Sequence, residues 1–289
     1  MKKINQVDYV NDAISNFAGR YVKVILVFLS VFLVAFPLYW LITSSVKLEQ
    51  EYLSYPPILI PSKITIHNFI DVFNNNGLGK ALYNSLVVST STTLISVFIG
   101  SMAAYSLARG KLSKIARTIF GVWFMVQKMY PAIATAIPVF LVIRKLGLMD
   151  TKSALIIMNT SFSIPLVIWL MMGFFQDLPI ELEESAMLDG CNMFNRFFRI
   201  VLPITKPGLI AAAILTFVAT WNEFLFAVIL SIRKAKTLPV VIAGFITDRG
   251  LAWGPMAATT VVTIIPVVII VRALQKDFVK GLSMGAIKG

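Results

Sequence analysis

The sequence predicts an all-α membrane protein: six transmembrane helices, with a small amphipathic helical hairpin between the fourth and the fifth. Three observations predict it. The chain of 289 residues is 57% hydrophobic and only 14% charged, with a mean hydropathy of +0.81, whereas soluble domains carry about 25% charged residues. Its apolar residues fall in long runs, and at about 20 residues per span there is room for about six crossings. Its densest acidic cluster, Glu181, Glu183, Glu184 and Asp189, sits between two of those runs. A net charge of +12 would suggest nucleic acid in a soluble protein. Here Lys and Arg stand mostly at the ends of apolar runs, so membrane topology accounts for them and no nucleic acid is implied. One cysteine, Cys191, excludes an intrachain disulfide.

The elements follow in order. Met1 to Arg20 reads as a polar tail. The first apolar run, Val22 to Thr43, is long and lacks a small-residue cleavage site, so it is a retained span and not a removed signal peptide. Val46 to Ala81 is a polar loop with Pro56, Pro57, Pro61 and His67. His67 belongs to a solvated loop, because no second metal-ligand pattern accompanies it. Span two, Leu82 to Leu107, is rich in Ser and Thr, which suits close helix packing in lipid or a wet face. Span three, Ile119 to Ile143, holds Gln127, Lys128, Pro131 and Pro138. Span four, Ala154 to Phe175, holds Asn159 and Pro165. Span five covers Leu209 to Ile232. Leu238 to Phe245 is a short re-entrant or interfacial piece. Span six, Met256 to Val271, holds Pro266. The in-span prolines free backbone carbonyls and mark either mobile bends or static kinks. The chain reads as a single polytopic domain over 1–289, with a polar loop at 176–206 and a polar tail at 276–289.

The hairpin is specified residue by residue. Pro179 suits a helix start, where its missing N–H costs nothing, and the glutamates crowd a first turn where the helix dipole favours negative charge. Gly190 fits the left-handed position that closes a helix. Asn192 can cap the next one. Phe194, Phe197, Phe198 and Val201 then recur at i, i+3, i+4, i+7 and predict one apolar face, and Pro203 ends the helix. On physics alone two readings stand: a loop folded against the membrane surface, or a knob that docks on a partner.

Spacing separates them. Glu184-Ser185-Ala186, three residues, Gly190, nine residues, then Ile200-Val201-Leu202-Pro203 closely resembles the coupling loop of the membrane permease subunits of ABC importers, with Ser185 where that family usually has Ala. Pro57 to Phe69, Trp221-Asn222-Glu223-Phe224 and the terminal Gly281 to Gly289 resemble the carbohydrate branch, in particular the smaller permease of the maltose importer family. The resemblance covers nearly the whole chain. It implies a non-catalytic transport subunit with no cofactor of its own, ATP and magnesium being handled by a separate ATPase dimer. It implies a second homologous permease, an extracellular solute-binding protein, a carbohydrate substrate and residence in the bacterial cytoplasmic membrane. In the coupling loop, Glu184 would bond polar groups of the ATPase beside Asp189, Ser185, Ala186 and Gly190 would permit close approach, and Ile200, Leu202 and Pro203 would fix the hairpin to span five. Gly285, Lys288 and Gly289 would dock in the ATPase interface; otherwise the tail is a frayed polar end.

Other features agree. No Walker phosphate-cradling spacing occurs: Gly77-Leu78-Gly79-Lys80 and Gly110-Lys111 both fail it. An ion-driven carrier would need several buried ionisable groups, and the spans offer Lys128 and Glu223. Lys and Arg outnumber on the side of the termini and hairpin, which predicts that side as cytoplasmic. Lys128 lies about 16 Å beyond Arg117 along a helix, and Glu223 about 15 Å before Arg233. Both therefore fall near the bilayer midplane. They either line or gate the pathway as a pair, or serve as packing or snorkelling groups. Trp221 and Asn222 either contact a sugar or only pack. An importer of another solute such as a polyamine or phosphate, and an ATP-independent secondary carrier, are the alternatives.

Overall fold

The structure, a computed structural model, describes residues 6–110, 112–248 and 250–286, with side chains from 22 to 275. In chain order it comprises α1 (Gln6–Val46), a 3-10 turn (Glu49–Glu51), α2 (His67–Asn74), α3 (Leu78–Arg109), α4 (Lys114–Met129), α5 (Ala132–Lys145), α6 (Lys152–Asp177), α7 (Glu181–Leu188), α8 (Met193–Arg196), a π-helical turn (Phe197–Val201), α9 (Leu202–Ile204), α10 (Lys206–Trp221), α11 (Leu225–Leu230), α12 (Leu238–Ala243), the short antiparallel strands β1 (Ile246–Thr247) and β2 (Gly250–Leu251), and α13 (Trp253–Ala286). Among the described residues, four helices are long and apolar enough to cross a membrane, and two bent pairs, α4 with α5 and Met193–Ile204 with α10, raise the number to six if each pair is one span.

The contacts gather into two compact units. The first holds residues up to Ile70 together with Ala252–Val261. Its α1 is helical from Gln6, so the stretch read as a polar tail continues the first span. The loop after α1 is also more ordered than expected. Glu51 takes hydrogen bonds from the backbone N–H groups of Leu48 (3.3 Å) and Ser62 (2.9 Å) and from the Ser62 hydroxyl, which holds its carboxyl below the usual range. Asn68 donates to the carbonyls of Ser45 and Lys47, and His67 opens the amphipathic α2 instead of sitting in a loop.

The second unit holds Asp71–Leu251 and the chain from Val262. Its centre is the parallel contact of α3 with α6. Lipid offers no hydrophobic drive between helices, so small residues that admit close dispersion contact carry the association. Gly100 shows this: a Cβ there would lie 2.7 Å from the Val167 side chain. Ser89, Thr92, Ser96 and Ala104 on α3 are all buried to 1% or less, so the Ser/Thr-rich span is a packed seam and not a wet face. Gly208 does the same for α10, where a Cβ would meet the Phe174 ring at 2.5 Å.

Pro131 falls at the junction of α4 and α5, which meet at 93°. Pro138, Pro165 and Pro266 lie inside continuous helices. At the end of the unit away from the hairpin, Asp150 (φ 57°) closes the α5–α6 turn onto the segment after α11. Its carboxylate accepts from the backbone N–H groups of Ile232, Arg233, Lys234 and Ala235 at 2.9–3.1 Å. Burial alone would raise its pKa, but those four donors hold it down to about 2. Asn84 secures the same segment by donating to the carbonyls of Lys234 and Lys236.

Candidate functional site

The hairpin begins where α6 must stop. Leu178 precedes Pro179, a position that disfavours helical backbone, and is extended (ψ 130°). After α7 the chain reverses through a Schellman arrangement: Cys191 N–H bonds the Ala186 carbonyl at 2.9 Å and Gly190 N–H bonds that of Met187 at 3.0 Å, with Gly190 at φ +80°. That is the left-handed cap expected of glycine. Asn192 Oδ1 accepts from Asn195 N–H at 2.9 Å and starts α8. Pro203 has no N–H to continue the ladder. The turn before it widens to π spacing, with Leu202 N–H bonding the Phe197 carbonyl, and the helix carries on to Ile204.

The expected single aromatic face splits in two. Phe197 (5% exposed) and Val201 (0%) are buried, while Phe194 (65%) and Phe198 (40%) are exposed. Phe197 meets Tyr105 at 5.1 Å and Phe175 at 6.2 Å between ring centroids, so it plugs the hairpin into the groove between α3 and α6.

Beside that plug lies a polar anchor that spacing alone did not single out. Glu183 turns inward (4% exposed). Its Oε2 accepts from the Tyr105 hydroxyl at 2.5 Å, and its Oε1 lies 3.0 Å from Arg109 Nε. Arg109 also donates to the Leu178 carbonyl. The end of α3 is therefore tied to α7 by a buried charge pair. The signal was present: Glu183 and Ala186 stand three apart, one stripe of a helix, and both are buried.

The opposite face of the hairpin is open. Glu184, Ser185, Asp189 and Gly190 are exposed, and a Cβ on Gly190 would meet nothing within 4 Å. Leu188 is 91% exposed and Met187 49%, an apolar tip that the motif does not name. Ala186 departs from the expected role in close approach to a partner. At 4% exposure it serves packing within this chain and offers no surface to a partner. Ile200 and Leu202 are half-buried and Pro203 exposed at the join to α10.

The intramembrane residues are rearranged relative to expectation. Lys128 and Glu223 do not pair. Lys128 Nζ donates to the Phe162 carbonyl at 3.4 Å. Glu223 accepts from the N–H groups of Phe226 (2.7 Å) and Ala227 (3.1 Å). The helix breaks at Asn222–Phe224, leaving the first N–H groups of α11 without helical partners, and the carboxylate caps them. Trp221 is 1% exposed and stacks on Phe217 at 5.4 Å, so its ring is closed to a sugar. Asn222 is exposed and bonds the Val218 carbonyl. A cavity of about 260 Å³ opens at the α4–α5 break, lined by Gln127, Tyr130, Thr135, Ser161, Phe162 and Pro165. Gly285 falls in the last turns of α13, while Lys288 and Gly289 lie outside the described residues.

Residues 96–283 match the family described as the binding-protein-dependent transport system inner membrane component. The chain belongs to that family. It is thus a multi-pass permease subunit of the ABC transporter class. Among its relatives are the trehalose transport system permease protein SugB of Mycobacterium tuberculosis, 35% identical over 88% of this chain and 92% of that one, and the trehalose/maltose transport system permease protein MalG of Thermococcus litoralis, 34% identical over 88% and 91%. The melibiose/raffinose/stachyose import permease protein MelC of Bacillus subtilis is 33% identical over 88% and 91%. The fold matches a chain of a bacterial ABC transporter that imports the acidic polysaccharide alginate, with TM-score 0.74 and 21% identity over 96% of this chain and all of that one.

Proposed function

We propose that the chain is one permease of an ATP-driven importer of a sugar or oligosaccharide, working with a second homologous permease, an ATPase dimer and an extracellular solute-binding protein. The observation that carries the mechanism is the hairpin Glu181–Pro203: one face anchored, the other exposing acidic and apolar groups with no partner among the described residues. Glu184 and Asp189 meet polar groups of the ATPase, and Leu188 and Met187 fill an apolar recess there. Gly190 lets the partner's surface come close. ATP and magnesium are held by the ATPase. Closure of its dimer pushes the hairpin, and the Arg109–Glu183 pair and the Phe197 plug pass that push to α3 and α6. The termini and hairpin lie in the cytoplasm, in keeping with the distribution of Lys and Arg. Substrate passes the cavity at the α4–α5 break, where Gln127 and Tyr130 offer hydrogen bonds to hydroxyl groups. Relatives named for trehalose, maltose and melibiose transport support the sugar class.

The test is purification of the tagged chain with its companions, followed by ATP hydrolysis and sugar uptake in vesicles. Leu188→Asp is expected to abolish both co-purification of the ATPase and uptake. Normal uptake by that variant would refute the docking role.

A further inference from the structure

The loop after α1 does not project away from the span; it folds back along it. The Tyr39 hydroxyl donates to the Leu59 carbonyl at 3.0 Å, and Lys47 Nζ donates to the Ile58 carbonyl at 2.5 Å. Tyr39 stands seven residues inside the end of the apolar stretch Val22–Val46, about 10 Å down the helix axis. That stretch of 25 residues is about 37 Å long, against a hydrocarbon core of about 30 Å. Leu59 is therefore held several ångströms below the level at which the span leaves the hydrocarbon.

The chemistry of the returning segment fits that depth. From Tyr52 to Ser62 no residue is charged, and Pro56, Pro57 and Pro61 fall within it. Irregular backbone is excluded from lipid chiefly by its unsatisfied N–H and C=O groups. Each proline removes one donor, and two of the carbonyls are taken by Tyr39 and Lys47. Lys47, the nearest charge, is sealed: 2% exposed, with its ammonium 4.0 Å from the Trp40 ring centroid. The side chains that remain outward are apolar or amphipathic: Leu53 (85% exposed), Tyr55 (97%), Leu59 (52%) and Ile60 (78%). They continue the exposed apolar surface of α1, where Val22 to Tyr39 are all exposed. Tyr at the level of the headgroups is the usual membrane-interface anchor.

We infer that Leu53–Ile60 is a lipid-inserted wedge, seated in the bilayer leaflet at the C-terminal end of α1. It fixes the depth and rotation of the first span while the rest of the protein moves.

The test uses the full chain, purified with whatever subunits accompany it, in nanodiscs of phosphatidylcholine. In a Cys191→Ser background, Tyr55→Cys and, separately, Leu53→Cys are labelled with an environment-sensitive fluorophore. Phosphatidylcholine spin-labelled high on its acyl chain is expected to quench both probes at least twofold, while aqueous iodide quenches them little. Lys63→Cys, beyond the segment, is the control that iodide should reach. Iodide quenching at 53 and 55 as strong as at 63 would place the loop in water and overturn the inference. Protection from both quenchers would mean that protein, such as the second permease, covers the segment, and would overturn it equally.

Discussion

The two ends of the second unit are fastened by opposite means. At the hairpin end, a buried side-chain pair, Arg109 with Glu183, and one aromatic plug join α3 and α6 to a short two-helix arm. At the other end, Asp150 grips four successive backbone N–H groups with one carboxylate. The first joint is specific to its two charges and leaves the arm's outer face free. The second fixes the path of the backbone regardless of the side chains at Ile232–Ala235. On the proposed function, the end that would hand force to the ATPase is joined at a few points, and the other end is held along the main chain.

The largest effect is expected at Glu183. Glu183→Ala strands Arg109 without its partner, a loss of about 3–5 kcal/mol for a buried pair, and should lower the thermal midpoint of the purified chain and abolish uptake. Glu184→Ala, one residue along but exposed, should stay within about 0.5 kcal/mol in stability while impairing uptake. Equal melting of the two variants would remove the distinction between the inner and outer faces of α7.

At the other end, Asp150→Ala should cost about 2 kcal/mol through lost charge-assisted hydrogen bonds and loosen amide-exchange protection at Ile232–Ala235. The pH dependence has a definite sign. The folded carboxyl titrates near 2, below its ordinary value near 4. Its contribution is therefore complete above about pH 4 and is lost as the pH falls toward 2. Melting curves of the parent chain and of Asp150→Asn should converge in that window; a constant gap between them would contradict the grip.

Gly190→Ala comes next, at about 1–2 kcal/mol of left-handed backbone strain, since its Cβ meets no atom of this chain. Any larger loss of uptake measures the partner. The smallest effect is a negative one. Exchanging the charges of Lys128 and Glu223 should fail to rescue either single variant in uptake assays, because each group answers to backbone and not to the other.

Much of this was legible in the sequence where the cause is local. The Gly190 cap, the Asn192 cap and the apolar spans depend on residues within a few positions of each other. The inward turn of Glu183 was not legible, because its partner Arg109 lies on another helix and looked like a topology-setting charge. Of the two readings open for Lys128 and Glu223, the pair is the one that depth suggests and contact does not support. Equal depth says nothing of azimuth, and the break at Asn222–Phe224 gave Glu223 nearer donors. For Trp221 the sequence leaves sugar contact and packing both open, and its stacking on Phe217 selects packing.

The bend at Thr205 has a mechanical consequence. The rod Met193–Ile204 meets α10 at 79°, close to a right angle, and its twelve residues give it a length of about 18 Å. It is a crank. A displacement of about 2 Å at its tip, the scale of helix shifts at subunit interfaces, corresponds to a turn of about 6° at the bend. Pro203 lacks an N–H and stands two residues before the bend, so under the proposed coupling a push on the hairpin would be taken up there as a change of angle against α10.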